Sequence, residues 1–162
     1  MTENEFTDAV QRNNQRLFLI ALSFTKTRAD AEDILQNAFM KLWKYEKSFE
    51  NSEHIDKWLT RVTVNESKNH VKSSAFKYNL LPGNEKNEDV YTFENDDEHD
   101  LFSAVMRLPT KLRTVIHLFY YEDLSVREIS DVLGIRESAC KTRLSRGRTQ
   151  IKEMLGDDWE NE

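Results

Sequence analysis

The sequence predicts an all-α protein: two small helical domains joined by a flexible acidic linker, the second domain containing a helix-turn-helix. Three observations predict it. The 162 residues include only four glycines and two prolines, too little turn chemistry for a chain of many short strands. Apolar residues recur at helical spacing on both sides of residues 73–100. Residues 73–100 themselves lose that spacing, pass through Leu81-Pro82-Gly83-Asn84, and hold 2 basic against 8 acidic side chains. A Pro-Gly pair breaks helices and a run of like charge repels itself, so this stretch reads as a linker. The expected organisation is a domain over 1–72, an acidic linker over 73–100 and a second domain over 101–162.

The first helix is expected from about Glu5 to Thr25, with Phe6, Val10, Leu17, Ile20, Ala21 and Phe24 as its apolar side. The second is clearer. Ala31, Ile34, Leu35, Ala38, Phe39, Leu42 and Trp43 follow the i, i+3, i+4, i+7 pattern without a miss. Asp30, Glu32 and Asp33 stand in its first turn and Lys41, Lys44 and Lys47 near its end, as the helix dipole favours. A third helix spans about Ile55 to Val71. After the linker, Leu108-Pro109 opens a fourth, with Pro109 in the first turn, where its missing N–H costs least. Ser125-Val126-Arg127-Glu128 is a capping box that starts a short helix ending at Leu133-Gly134, and a final helix runs from about Glu137 to Leu155.

Charge and composition narrow the function. The net charge of −6 suits a nucleic-acid binder poorly until it is divided along the chain. Residues 1–72 balance at 11 basic and 11 acidic side chains, whereas 101–155 hold 10 basic against 6 acidic. Local charge decides where a phosphate backbone can lie. One cysteine, Cys140, excludes an internal disulfide framework, and its place on an apolar face marks a small core residue. His54, His70, His99 and His117 are scattered without metal-ligand spacing, so no metal or cofactor is expected. No nucleophile–base pair or glycine-rich phosphate loop can be assembled, which argues against an enzyme. No apolar run approaches the ~18 residues of a membrane span, and the acidic N-terminus is unlike a signal peptide, so the chain reads as cytoplasmic.

The two last helices form the helix-turn-helix pattern, Gly134 supplying the tight backbone between them. The second should enter the major groove, its early residues facing base edges. Lys141, Arg143, Arg146, Arg148 and Lys152 crowd that helix with cations, and Lys141, Thr142, Ser145 and Arg146 share one exposed stripe by spacing. On the third helix, Arg61, Asn65, Lys68 and Lys72 recur at helical spacing. Cations of that kind hold a single-stranded backbone, and an Asn can bond the edge of an unstacked base.

Three blocks of the chain together resemble the extracytoplasmic-function group of bacterial sigma factors, in the sigma-70 family. Asp30-Ala31-Glu32-Asp33-Ile34-Leu35-Gln36-Asn37-Ala38-Phe39, running on to Leu42-Trp43, is similar to the family's core-polymerase-binding helix. Trp58-Leu59 through Val62, Asn65 and Asn69 is similar to its −10 recognition segment. Leu108-Pro109 through Arg113, Leu118, Ser125, Glu128-Ile129, Leu133-Gly134 and Lys141 to Arg148 is similar to its −35-reading domain.

The resemblance implies a factor that binds core RNA polymerase, directs it to −35/−10 promoters and promotes strand opening, with an anti-sigma factor as a further partner. It implies that Asp33, Gln36, Asn37 and Met40 meet the polymerase clamp, although Asn37 stands where the family commonly has an acid. It implies that Asn65 lies near a flipped −10 base, with Arg61, Lys68 and Lys72 steadying the strand. Lys141, Thr142, Ser145, Arg146 and Arg148 would contact −35 DNA, with Arg136 and Glu137 replacing the small residues usual at that helix start. The acidic linker would thread near the polymerase active site. In the free chain, the linker and the acidic tail from 156 to 162 are expected to compete with DNA for the basic helices. The alternative is a stand-alone helix-turn-helix regulator, which accounts for 108–155 but leaves Asp33, Gln36 and Asn65 unexplained.

Overall fold

Seven α-helices account for the regular structure of the computed structural model, which describes residues 1–80 and 96–156. They are α1 (Glu3–Thr25), α2 (Arg28–Lys44), α3 (Ser52–Leu80), α4 (Asp96–Arg107), α5 (Thr110–Tyr120), α6 (Val126–Leu133) and α7 (Glu137–Leu155). The chain divides into two compact units, Met1–Asp89 and Val90–Glu162.

In the first unit, α1, α2 and α3 pack on one another around a single core. Thr2 starts α1 with a capping box: the Glu5 amide donates to the Thr2 hydroxyl at 3.1 Å, and the Thr2 amide donates to the Glu5 carboxylate at 2.8 Å. Lys26 ends it in the left-handed conformation, φ 66°, and Thr27 then caps α2 by accepting from the Asp30 amide. Ala31, Ile34, Leu35, Ala38 and Leu42 are buried, as their periodicity predicts. Trp43 is not: it stays 53% exposed at the edge of the stripe, its ring edge-on to Phe6 at 5.0 Å. An α-helix drifts from a strict heptad repeat, so the last member of a long stripe rotates out of the core.

A polar clamp fixes α1 against α3. Asn13, 1% exposed, donates to the Asp56 carboxylate at 2.8 Å and to the Ala9 carbonyl at 2.8 Å. Arg12 donates to both Asp56 oxygens at 3.0 and 3.2 Å, and Arg16 donates to Thr60 Oγ1, Asn13 Oδ1 and the Asp56 carbonyl. Burial pushes the Asp56 carboxyl up, but the hydrogen bonds from Arg12 and Asn13 and the charges of Arg12 and Arg16 outweigh it, leaving the group below its ordinary range. Between α2 and α3, Lys41 pairs with Glu66 and His70 Nε2 lies 3.2 Å from Asp30 Oδ1.

In the second unit, α7 packs on α4, α5 and α6. Its buried stripe is Cys140, Leu144, Gly147 and Ile151. Gly147 is there because α5 comes so close: a β-carbon would stand 2.7 Å from Ile116 Cγ1 and 2.9 Å from Cδ1. Pro109 sits one position before α5, where it caps rather than enters the first turn. Arg113, 1% exposed, is a structural anchor: it donates to the Leu108 carbonyl at 2.7 Å and to Thr110 Oγ1 at 3.1 Å, and burial pulls its pKa down to about 10. His117 is buried beside it on α5, its ring stacked on Tyr121 at 5.0 Å.

The linker expected over 73–100 is helical at both ends, since α3 continues to Leu80 and α4 begins at Asp96. The reason is local. Nothing between Ser73 and Leu80 breaks a helix, and the disfavoured position is Leu81, immediately before Pro82. At the other end, the acids Asp96, Asp97 and Glu98 suit a helix N-terminus, and Ala104, Val105 and Met106 behind them are buried. The rest of the expected linker, 81–95, and the acidic tail, 157–162, lie outside the described residues.

Candidate nucleic-acid and polymerase interfaces

Three helix faces bring the expected residues to the surface. On α7 the geometry follows from α6. The Glu128 amide donates to Ser125 Oγ at 3.1 Å while the Ser125 amide donates to Glu128 Oε1 at 3.1 Å, fixing the start of α6. Gly134 at φ 69°, ψ 37° ends it, and α7 leaves at once from Arg136. Ile129 and Leu133 of α6 are buried, as are Cys140, Leu144 and Ile151 of α7. What remains outward is Lys141, Thr142, Ser145 and Arg146, all exposed. Thr142 spends its hydroxyl proton on the Ser138 carbonyl at 2.9 Å, so its oxygen faces out as an acceptor.

Arg148 stands apart from those four. It is half-buried on the flank of α7, and its Nη1 donates to the Tyr120 hydroxyl of α5 at 3.2 Å. Lys152, also half-buried, lies one turn further along the same flank and Arg143 on the opposite one. Flanking cations of this kind suit phosphates, whereas the outward stripe suits base edges.

On α3, Arg61, Asn65 and Lys72 are exposed and Lys68 is half-buried. Behind them Leu59, Val64, Thr63 and Ser67 are buried, which fixes the stripe outward. Next to its N-terminal end lies a cluster that the sequence reading did not single out. Tyr45, at the end of α2, and Phe49, in the α2–α3 connection, stack at 4.9 Å; Trp58 of α3 meets them at 4.9 and 5.6 Å, and His54 stands edge-on to Phe49 at 5.1 Å. The signal was available: three aromatic rings and a histidine fall between positions 45 and 58.

On α2, Asp33, Gln36, Asn37 and Met40 occupy one face at i, i+3, i+4 and i+7, and all four are exposed. Met40 is 49% exposed, and Trp43 extends the face by one turn. An exposed Met and Trp beside polar groups make an adaptable surface for another protein. Among the described residues no group of three or more His, Cys, Asp or Glu side chains could hold a metal ion, and no helix is long and apolar enough to cross a membrane.

Residues 9–76 match the family described as sigma-70 region 2, and residues 99–151 match sigma-70 region 4. The RNA polymerase sigma factor SigZ of Bacillus subtilis is 32% identical over 133 residues, covering 76% of this chain and 72% of that protein. The ECF RNA polymerase sigma factor SigW of the same organism is 26% identical, covering 96% of this chain and 91% of SigW. Among solved structures, the sigma factor RpoE of Bartonella quintana, in complex with the anti-sigma factor NepR, is similar with a TM-score of 0.76. That likeness covers 95% of this chain and 98% of RpoE at 23% identity.

Proposed function

The chain belongs to the sigma-70 family of RNA polymerase sigma factors, in its extracytoplasmic-function group, and from that premise we propose which of its faces performs each step of initiation. As a sigma factor it binds core RNA polymerase and directs it to promoters. The stand-alone regulator falls away because both halves match regions of the one family, 9–76 as well as 99–151.

The observation that carries the assignment is that each motif faces outward from a helix whose opposite side is core. Asp33, Gln36, Asn37 and Met40 on α2 contact the polymerase. On α7, Lys141, Thr142, Ser145 and Arg146 read the −35 element, with Arg148 on a neighbouring phosphate. An Arg or Lys bonded to guanine O6 and N7 discriminates by ~1–3 kcal/mol per base. On α3, Arg61, Lys68 and Lys72 hold the backbone of the opened strand while Asn65 bonds an unstacked −10 base. The half-buried rings of Tyr45, Phe49 and Trp58 support this, since base–aromatic stacking contributes ~1–3 kcal/mol per base. Opening is then driven by capture of unstacked bases.

Two weak DNA readers on one chain gain affinity when polymerase fixes their separation, because the second contact becomes intramolecular. The isolated chain therefore binds promoters weakly and the holoenzyme binds them specifically. RpoE, which shares the fold, was solved with an anti-sigma factor, and a protein of that class is the proposed regulator here.

The test is run-off transcription with purified core RNA polymerase, with and without the chain, on genomic DNA from its source. Discrete transcripts that require the chain are expected. Tight, sequence-specific duplex binding by the chain alone at physiological salt, without chain-dependent transcripts, would overturn the assignment.

A further inference from the structure

Arginines in this chain are held in different ways. Arg12 is neutralised on the Asp56 carboxylate, and Arg113, 1% exposed, is spent on the Leu108 carbonyl. Arg148 is held by a neutral group instead: its Nη1 donates to the Tyr120 hydroxyl of α5 at 3.2 Å. Both side chains line an open groove between α4, α5 and α7 whose walls, among the described residues, carry no carboxylate. The guanidinium is therefore fixed in direction while its charge is not compensated there. A phenol oxygen does not neutralise a cation, and a guanidinium so held has further N–H donors to offer an anion.

The packing of α5 on α7 makes this bond possible. Gly147 lets the two helices meet so closely that a β-carbon there would stand 2.7 Å from Ile116 Cγ1. Tyr120 follows Ile116 by one helical turn on the same face of α5, and Arg148 follows Gly147 directly. Tyr120 is 43% exposed and Arg148 is half-buried, so the pair sits at the rim, open to an anion from outside. Ser145 lies one turn before Arg148, which places the guanidinium on the border of the reading stripe.

An unrestrained arginine loses rotamer freedom when it grips a phosphate, which lowers affinity about 2- to 12-fold per side chain. A hydrogen bond formed before DNA arrives removes part of that loss. We propose that Tyr120 is a positioning residue for −35 recognition: its hydroxyl holds Arg148 in the orientation in which the guanidinium meets a phosphate beside the reading stripe. This rests on the assignment of Arg148 to a phosphate, and it adds to the DNA-reading apparatus a residue outside the helix-turn-helix. Phosphate contacts set the register of a recognition helix on the duplex. Tyr120 thus steadies the base contacts of α7 by acting through Arg148.

The test is a double-variant cycle on holoenzyme reconstituted from core polymerase and the full chain, read as affinity for a promoter duplex across a salt series. Arg148→Ala is expected to weaken binding and to lower the slope of log affinity against log salt by about 0.9. Tyr120→Phe, which keeps the ring and removes only the hydroxyl, is expected to weaken binding about 2- to 5-fold. In the Arg148→Ala background the same change should have no effect, because no side chain is left to position. Hydrogen exchange of α5 and α7 and binding of core polymerase should be unchanged in Tyr120→Phe. An equal loss in both backgrounds would show the hydroxyl acting independently of Arg148 and overturn the proposal. Lowered protection of α5 and α7, or weakened core binding, would overturn it too, by assigning the hydroxyl to the fold or to the polymerase. Full affinity in Tyr120→Phe, with Arg148→Ala still impaired, would refute the positioning role and leave the phosphate contact standing. Unchanged affinity and slope in Arg148→Ala would instead remove the phosphate assignment itself, and the proposal with it.

Discussion

Replacing Gly147 by alanine places one methyl group where α5 and α7 meet, and its effect can be worked from the distances. The new carbon would lie 2.7 Å from Ile116 Cγ1 and 2.9 Å from Cδ1, against a comfortable carbon–carbon separation of ~3.5–4.0 Å. Ile116 is 1% exposed, and Leu112 Cβ, one turn earlier on the same face of α5, stands 3.9 Å from the new carbon, so little space is open to it. Overpacking of this kind costs about 1–3 kcal/mol. Alanine in a helix interior returns about 1 kcal/mol through its better propensity. The net is destabilisation of the second unit by about 1 kcal/mol, up to about 2 where Ile116 cannot turn aside. Hydrogen exchange of the full-length chain reads this unit separately from the first. Protection of α5 and α7 should fall about 5- to 30-fold for a loss of 1–2 kcal/mol, with α1–α3 unchanged. Ile116→Ala alone should cost about 2–5 kcal/mol, and the double variant less than the sum of the two, because the added methyl then fills part of the space vacated. Protection that is unchanged or raised in Gly147→Ala would refute the reasoning, showing that propensity outweighs the contact.

The other predictions concern function and pH. Asn65→Ala should reduce opening of the −10 region, read by permanganate reactivity of unpaired thymines, while core binding by gel filtration stays intact; loss of core binding instead would remove Asn65 from the DNA face. Arg146→Ala should weaken holoenzyme binding at the −35 element and, where Arg146 also neutralises a phosphate, lower the slope of log affinity against log salt by about 1; an unchanged footprint and slope would place it off the DNA. Burial holds His117 neutral with its pKa pulled down to about 4 from 6.5, and its Nε2 has no hydrogen-bond partner among the described residues. Because the unfolded chain takes up that proton first, this stability is present above pH 6.5 and lost as pH falls toward about 4, a change on the order of 3 kcal/mol. His117→Gln should flatten that part of the pH profile of α5 and α7 protection, and an unaltered profile would assign the titration to another group.

Much of the fold was legible because its signals are local. The Ser125–Glu128 capping box, the left-handed Gly134 and the apolar stripe from Ala31 to Leu42 each act within a turn or two of chain. The exposed faces of α2, α3 and α7 were legible for the same reason, since a helix with one buried stripe has one opposite side. The acidic run hid α4, because charge density argued for a linker while the buried Ala104, Val105 and Met106 occupy only three positions. The aromatic cluster went unnoticed because Tyr45, Phe49 and Trp58 have no common period; a turn between helices brings them together.

By itself the sequence determined the all-α class, the helix-turn-helix and the separation of charge along the chain, all of which follow from spacing and composition. Tertiary structure alone decided that Trp43 stays at the surface, that Arg113 and Asn13 are buried anchors, that Arg148 leans on Tyr120, and that a β-carbon at position 147 would crowd Ile116. The contacts of Asn13 with Asp56, of Arg148 with Tyr120 and of position 147 with Ile116 are each set by a distance between helices far apart in sequence. Such a distance comes from the packing of whole faces, and no short window of residues contains it.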